Sequence, residues 1–132
     1  MSYTDLEAAF IARIQDNCPL VKTVGKALSM KDVPDLSNDV PAVFVLDGGF
    51  KADEVKTRPY RQRVYARVIV QVAAPENEIL AVRNQLLDAL GGFQVTPEHN
   101  SAFASEAEPI DVKPNLHWWA EIWNTSYQLT KS

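Results

Sequence analysis

Residues Gln62–Phe93 read QRVYARVIVQVAAPENEILAVRNQLLDALGGF, and this stretch decides the fold. Its first half places Val64, Ala66, Val68, Val70 and Val72 on one side, and Tyr65, Arg67, Ile69, Gln71 and Ala73 on the other. Only a pleated strand has that period of two. Extended from Arg61 to Ala74, it would span ~45 Å at roughly 3.3 Å per residue, long enough for part of it to project from the domain. Its second half predicts a helix over about Glu76 to Leu90. Ile79, Val82, Leu86 and Leu90 recur at steps of three and four, and Leu80 and Leu87 widen the apolar stripe. Glu76 and Glu78 are expected in the first turn, where the helix dipole favours negative charge. Gly91-Gly92 stops the helix, and Phe93 can fold back onto its last turn.

Upstream, Thr4-Asp5-Leu6-Glu7 reads as a capping box opening a helix with Leu6, Ala9, Phe10 and Ile14 on one face, ended by Asn17-Cys18-Pro19. Leu20 to Leu28 reads as a short strand or irregular edge, and Ser29 to Asp39 as a loop. Val40 to Leu46 is an expected strand that Asp47-Gly48-Gly49 breaks, followed by a polar connection from Phe50 to Tyr60. Beyond Phe93 come a strand near Ala102 to Ala107 and a Pro-bounded loop from Glu108 to Asn115. The strand His117 to Thr130 alternates Trp118, Ala120 and Ile122 against Trp119, Glu121, Trp123, Thr125 and Tyr127. The order α-β-β-β-α-β-β implies an α+β two-layer sandwich, a mostly antiparallel sheet with both helices on one face.

The 132 residues, 46% hydrophobic and 23% charged, fit one globular domain. No apolar run approaches the roughly twenty residues that cross a bilayer, and the first ten residues lack the pattern of a signal peptide, so no membrane partner is expected. Cys18 is the single cysteine and reads as a small hydrophobe at a helix end. No catalytic constellation emerges. His99 and His117 are the only imidazoles, and His117 with Glu121 lacks a third metal ligand. No serine stands in a nucleophile elbow, Cys18 has no nearby histidine, and Gly48-Gly49 lacks the remainder of a phosphate loop. No enzyme activity, metal or cofactor is therefore expected.

Two features point to assembly. Lys51, Lys56, Arg58, Arg61, Arg63 and Arg67 are nearly half of the 13 basic residues, whereas Asp88, Glu98, Glu106, Glu108 and Asp111 occupy a stretch without cations. A basic arm and an acidic flank can meet head to tail between copies, and such a contact makes a ring if it closes. A solvated loop with scattered charges is the plainer reading, and non-specific contact with nucleic acid a third. Net charge of −4 and the lack of an aromatic RNA-binding motif speak against sequence-specific readout. The aromatics are the second feature. Alternation puts them on both faces, so Tyr65, Trp119, Trp123 and Tyr127 are candidates for a self-association surface, with core plus ordinary surface as the plainer alternative.

The pattern resembles the phage tail terminator proteins of long-tailed bacteriophages and prophages. The resemblance is carried by DLEAAFIARI (5–14), VKTV (21–24), PAVFVL (41–46), the unit ending LLDALGGF (86–93) and the late strand ending WNTSYQL (123–129). It implies a non-enzymatic virion protein that assembles as a ring, six-membered in that family, on the end of the tail tube after a period in the host cytoplasm. There it would stop tube growth, offer a surface to the head-tail connector proteins and let DNA pass through its opening. On this reading the connection containing Lys51, Lys56, Arg58, Arg61 and Arg63 faces a neighbouring subunit, the tube or the lumen, and becomes ordered on assembly. A head-tail adaptor and a small ferredoxin-like ligand-binding regulatory domain are the alternatives.

Overall fold

The computed structural model describes residues 4–26, 40–53, 56–57, 60–113 and 115–131, with backbone alone for 56, 57, 60, 113 and 131. Its elements are α1 (Leu6–Asn17), β1 (Thr23–Lys26), β2 (Ala42–Ala52), β3 (Lys56–Thr57), β4 (Tyr60–Ala74), α2 (Ile79–Leu90), β5 (Phe103–Lys113) and β6 (Leu116–Lys131). Apart from the two-residue β3, this is the α-β-β-β-α-β-β order that the sequence predicts. The sheet runs β1-β2-β4-β6-β5, with β3 added beside β4; only the β1–β2 pair is parallel. The predicted loop from Ser29 to Asp39 lies outside the described residues.

β4 is the axis of the sheet. It pairs with β6 along its whole length, from Tyr60↔Lys131 to Ala74↔His117, so its extra length is held by a partner strand and does not project alone. Val64, Val68, Val70 and Val72 are sealed beneath the helices, and Phe10, Ile14, Val82, Leu86 and Leu90 meet them in one cluster. Both helices thus cover the same face. Full burial of each such side chain is worth about 1.5–3 kcal/mol relative to exposure, which makes this layer the main source of stability.

Local chemistry sets the ends of the helices. Asp5 caps α1, its carboxylate accepting from the Ala8 amide at 3.1 Å. Glu7 is therefore not the partner of a Thr4 cap; its carboxylate accepts instead from the Asp47 amide at 3.1 Å and fastens β2 to the helix. α2 begins at Ile79 with Glu78 as its cap residue, so Glu76 lies in the preceding turn and no acidic residue occupies the first turn. That turn is closed by the Glu78 and Ile79 amides, which both donate to the Pro75 carbonyl. At the other end Gly92 takes φ +81°, the left-handed conformation that favours glycine, and the Phe93 amide donates back to the Leu90 carbonyl. Phe93 then meets Phe10 edge to face, with ring centroids 5.7 Å apart. Cys18 is fully buried beside α2, and burial pushes its thiol pKa up, with nearby Arg13 opposing.

Two strands outrun their sequence signals. β2 does not stop at Asp47-Gly48-Gly49: it shifts register between Asp47 and Phe50 and continues to Ala52. The Asp47 carboxylate accepts from the Gly49 amide at 2.7 Å, and Gly49 adopts φ +83°, so these turn-forming residues build a β-bulge. β5 runs on through Pro109 to Lys113, replacing the expected loop. Pro109 is tolerated because β5 is an edge strand, where a missing amide hydrogen breaks no ladder on the outer side.

Candidate assembly surface

The sheet face opposite the helices has no covering layer among the described residues, and β-alternation decides what stands on it. From β4 it receives Arg61, Arg63, Tyr65, Arg67, Ile69, Gln71 and Ala73, and from β6 Trp118, Ala120, Ile122, Asn124 and Ser126. The face has two unlike ends. At one, the Phe44 and Trp118 rings stack with centroids 6.1 Å apart and bury Ala42 and Ala73. At the other, Lys51, Arg61 and Arg67 are exposed and Arg63 is half-buried. Among the described residues no carboxylate forms an ion pair with any of these four cations.

Between those cations and the start of β5 lies a cavity of about 590 Å³. Phe50 and Phe103, each more than half exposed, stand at its sides together with Lys51, Tyr65 and Arg67. Asn124 also lines it, and its buried Nδ2 has no hydrogen-bond partner among the described residues. The Tyr65 hydroxyl donates to the Asp53 carboxylate at 3.1 Å; that bond, more than any other cause, raises the phenol pKa. The bond also ties Asp53 back onto the strand.

The site residues singled out from sequence separate cleanly. Lys51, Arg61 and Arg63 gather with Tyr65 at one end of the open face, and the Lys56 backbone pairs with Arg61. Arg58 lies outside the described residues. The aromatic candidates do not gather there. Trp123 and Tyr127 point to the helix side and are 1% and 6% exposed, so the expectation that they form an interface is corrected: they are core. Trp119 shares that side, half-buried, with the Arg83 guanidinium 3.9 Å above its ring. Of the four, Tyr65 is the exposed one, at 49%. Phe50 and Phe103 were missed, because nothing in either local sequence tells which face an aromatic at a strand end will take.

At the far edge of the sheet, β5 is exposed almost throughout, and its register puts Glu106, Glu108 and Asp111 on the open side. On the helix side, β5 and α2 enclose a groove of about 340 Å³ flanked by Leu80 and Leu87, which are 67% and 54% exposed. Its inner wall holds the Arg83–Glu121 ion pair at 3.2 Å, and the other Glu121 oxygen accepts from the Trp123 indole at 3.3 Å. Among the described residues no group of three or more His, Cys, Asp or Glu side chains could hold a metal, and no helix is long and apolar enough to cross a membrane.

The sequence matches the family model described as phage tail terminator protein over residues 1–132. Among solved structures, a chain in the virion of a native gene transfer agent particle is similar, with a TM-score of 0.63 at 15% identity over 94% of this chain and 95% of that one. At that identity the likeness concerns the fold. No curated protein sequence matches.

Proposed function

Because this chain belongs to the phage tail terminator protein family, we propose that it is the structural virion protein that completes a phage tail. Copies join as a ring, six in number as in the tail terminators that the sequence resembles, on the head-proximal end of the tail tube. The ring stops further tube subunits from adding, presents a docking surface to the head-tail connector proteins, and leaves an opening through which DNA passes. No catalytic step is involved; the work is done by complementary surfaces.

The observation that most supports this reading is the charged end of the open face. Lys51, Arg61, Arg63 and Arg67 stand together without a carboxylate ion pair among the described residues, while the acidic β5 lies at an edge of the same sheet. A chain polarised across its width is suited to repeating head-to-tail contacts, which generate rings when the rotation closes. The cations also suit a role beside DNA, since any that face the opening attract phosphates without reading sequence.

The test has two arms. Purified chain added to polymerising tail-tube protein should cap tube length, as measured by electron microscopy; tubes that keep growing with undecorated ends would exclude the tail-end role. Replacing Lys56, Arg58, Arg61 and Arg63 together by alanine should abolish ring formation or tail joining while the protomer keeps its circular dichroism. Unchanged assembly would remove the basic arm from the interface.

A further inference from the structure

Resting on the ring reading, we infer that the seat for each subunit's basic arm is the outer edge of β5 together with the groove beside α2 on a second copy of this chain. The arm comprises the end of β2 and the start of β4, with Lys51, Arg61 and Arg63. Three observations on the same edge support this.

The first is backbone. β5 is the last strand of the sheet along its 11 residues, so its outward N–H and C=O groups form a template for a further strand or loop. The second is charge. Glu106 and Glu108 have no ion pair among the described residues, and neither do Lys51, Arg61 and Arg63. Two β5 edges pairing with each other would bring these carboxylates together, which is unfavourable, so the edge resists an isologous contact and suits a cationic partner. The third is apolar surface. The groove behind the edge is flanked by exposed Leu80 and Leu87, and the arm carries exposed Phe50. Of the acids on this edge Glu106 also borders the groove, so charge adjoins exposed apolar surface there, as at a protein interface.

The contact is heterologous: each copy offers its arm to one neighbour and its β5 edge to the other. Charge exchange can therefore test it without depending on one variant's fold. One variant carries Glu106→Lys and Glu108→Lys; the other carries Lys51→Glu, Arg61→Glu and Arg63→Glu. Each alone faces like charge with like, and self-association should weaken at least ~10-fold in sedimentation velocity, with unchanged circular dichroism. Mixed in equal amounts, the two variants restore opposite charges at every contact and should form a ring of alternating composition. Either variant forming rings as the wild type does would overturn the inference, as would two folded variants that stay apart when mixed. If the arm variant forms rings normally and loses only DNA binding, the arm faces the lumen and the inference fails. A wild type that forms no ring in solution or on tube ends sinks the ring reading itself, an outcome distinct from rings that ignore these charges.

Discussion

Along β4, Val64, Val68 and Val70 are sealed from water, while Arg61, Tyr65 and Arg67, a single residue out of step with them, stand in solvent. The helix-covered face and the open face share every strand and nearly every backbone hydrogen bond, yet differ in what they can tolerate. The covered face must fill a closed volume, so its side chains are fixed by packing. The open face is relieved of that constraint except where Trp118 and Phe44 stack, and charge can collect at its other end. Stability and assembly therefore sit on alternate residues of the same strands, and substitutions should separate them.

The hardest test of that separation is Leu86→Asp. Leu86 is fully buried, and an unpaired carboxylate there should cost ~5 kcal/mol or more, enough to unfold a domain of ordinary stability. A cooperative thermal transition near the wild-type temperature would show that the helix layer is not the core. Trp123→Ala comes next, at about 3–5 kcal/mol from the cavity it leaves, read by chemical denaturation. Were Trp123 an interface residue, assembly would suffer while the isolated protomer kept its stability. Arg83→Ala should cost about 2 kcal/mol, since it strands a mostly buried Glu121 and removes the cation above Trp119; the cost is reduced because Arg83 is itself partly exposed.

A smaller effect belongs to His99, whose ring packs 4.6 Å from Tyr127 in the segment that covers the core beyond α2. Burial lowers its pKa below the ordinary 6.5, with Glu98 opposing. The unfolded chain then binds the proton more readily than the folded one. The stability owed to a neutral His99 is fully present above pH 6.5 and is lost as pH falls through the lowered folded value. His99→Gln should flatten that part of the stability profile; an unchanged slope would assign it to other groups. Least affected of all should be the open-face cations: Lys51→Ala with Arg61→Ala should move protomer stability by no more than about 0.5 kcal/mol while weakening self-association in a salt-dependent way. A large stability loss there would end the division between the two faces.

Much of this was legible because burial writes a period into sequence. The valines of β4 and the apolar steps of α2 announce both their elements and the face each presents. Where no period is imposed, the reading stopped short. β5 is exposed on both sides, so its second half, with Glu108, Pro109 and Asp111, carried no alternation and looked like loop. Gly48-Gly49 looked like a break because turn chemistry and bulge chemistry use the same residues; Asp47 and its partner strand decide between them. The clustering of Lys51, Arg61 and Arg63 was visible in the sequence, but their arrival on the open face, with Phe50 and Phe103 beside the same cavity, was not.

By itself, then, the amino-acid sequence determined the strand and helix periods, the order of elements, the two-layer architecture and the polarised charge, since each follows from residues near one another along the chain. Tertiary structure alone decided that Trp123 and Tyr127 are core while Tyr65 is surface, that the acids line an edge, and that an apolar groove lies behind it. Those outcomes depend on which strand pairs with which and on which side the helices settle. Such long-range packing choices leave no local mark on the residues they expose.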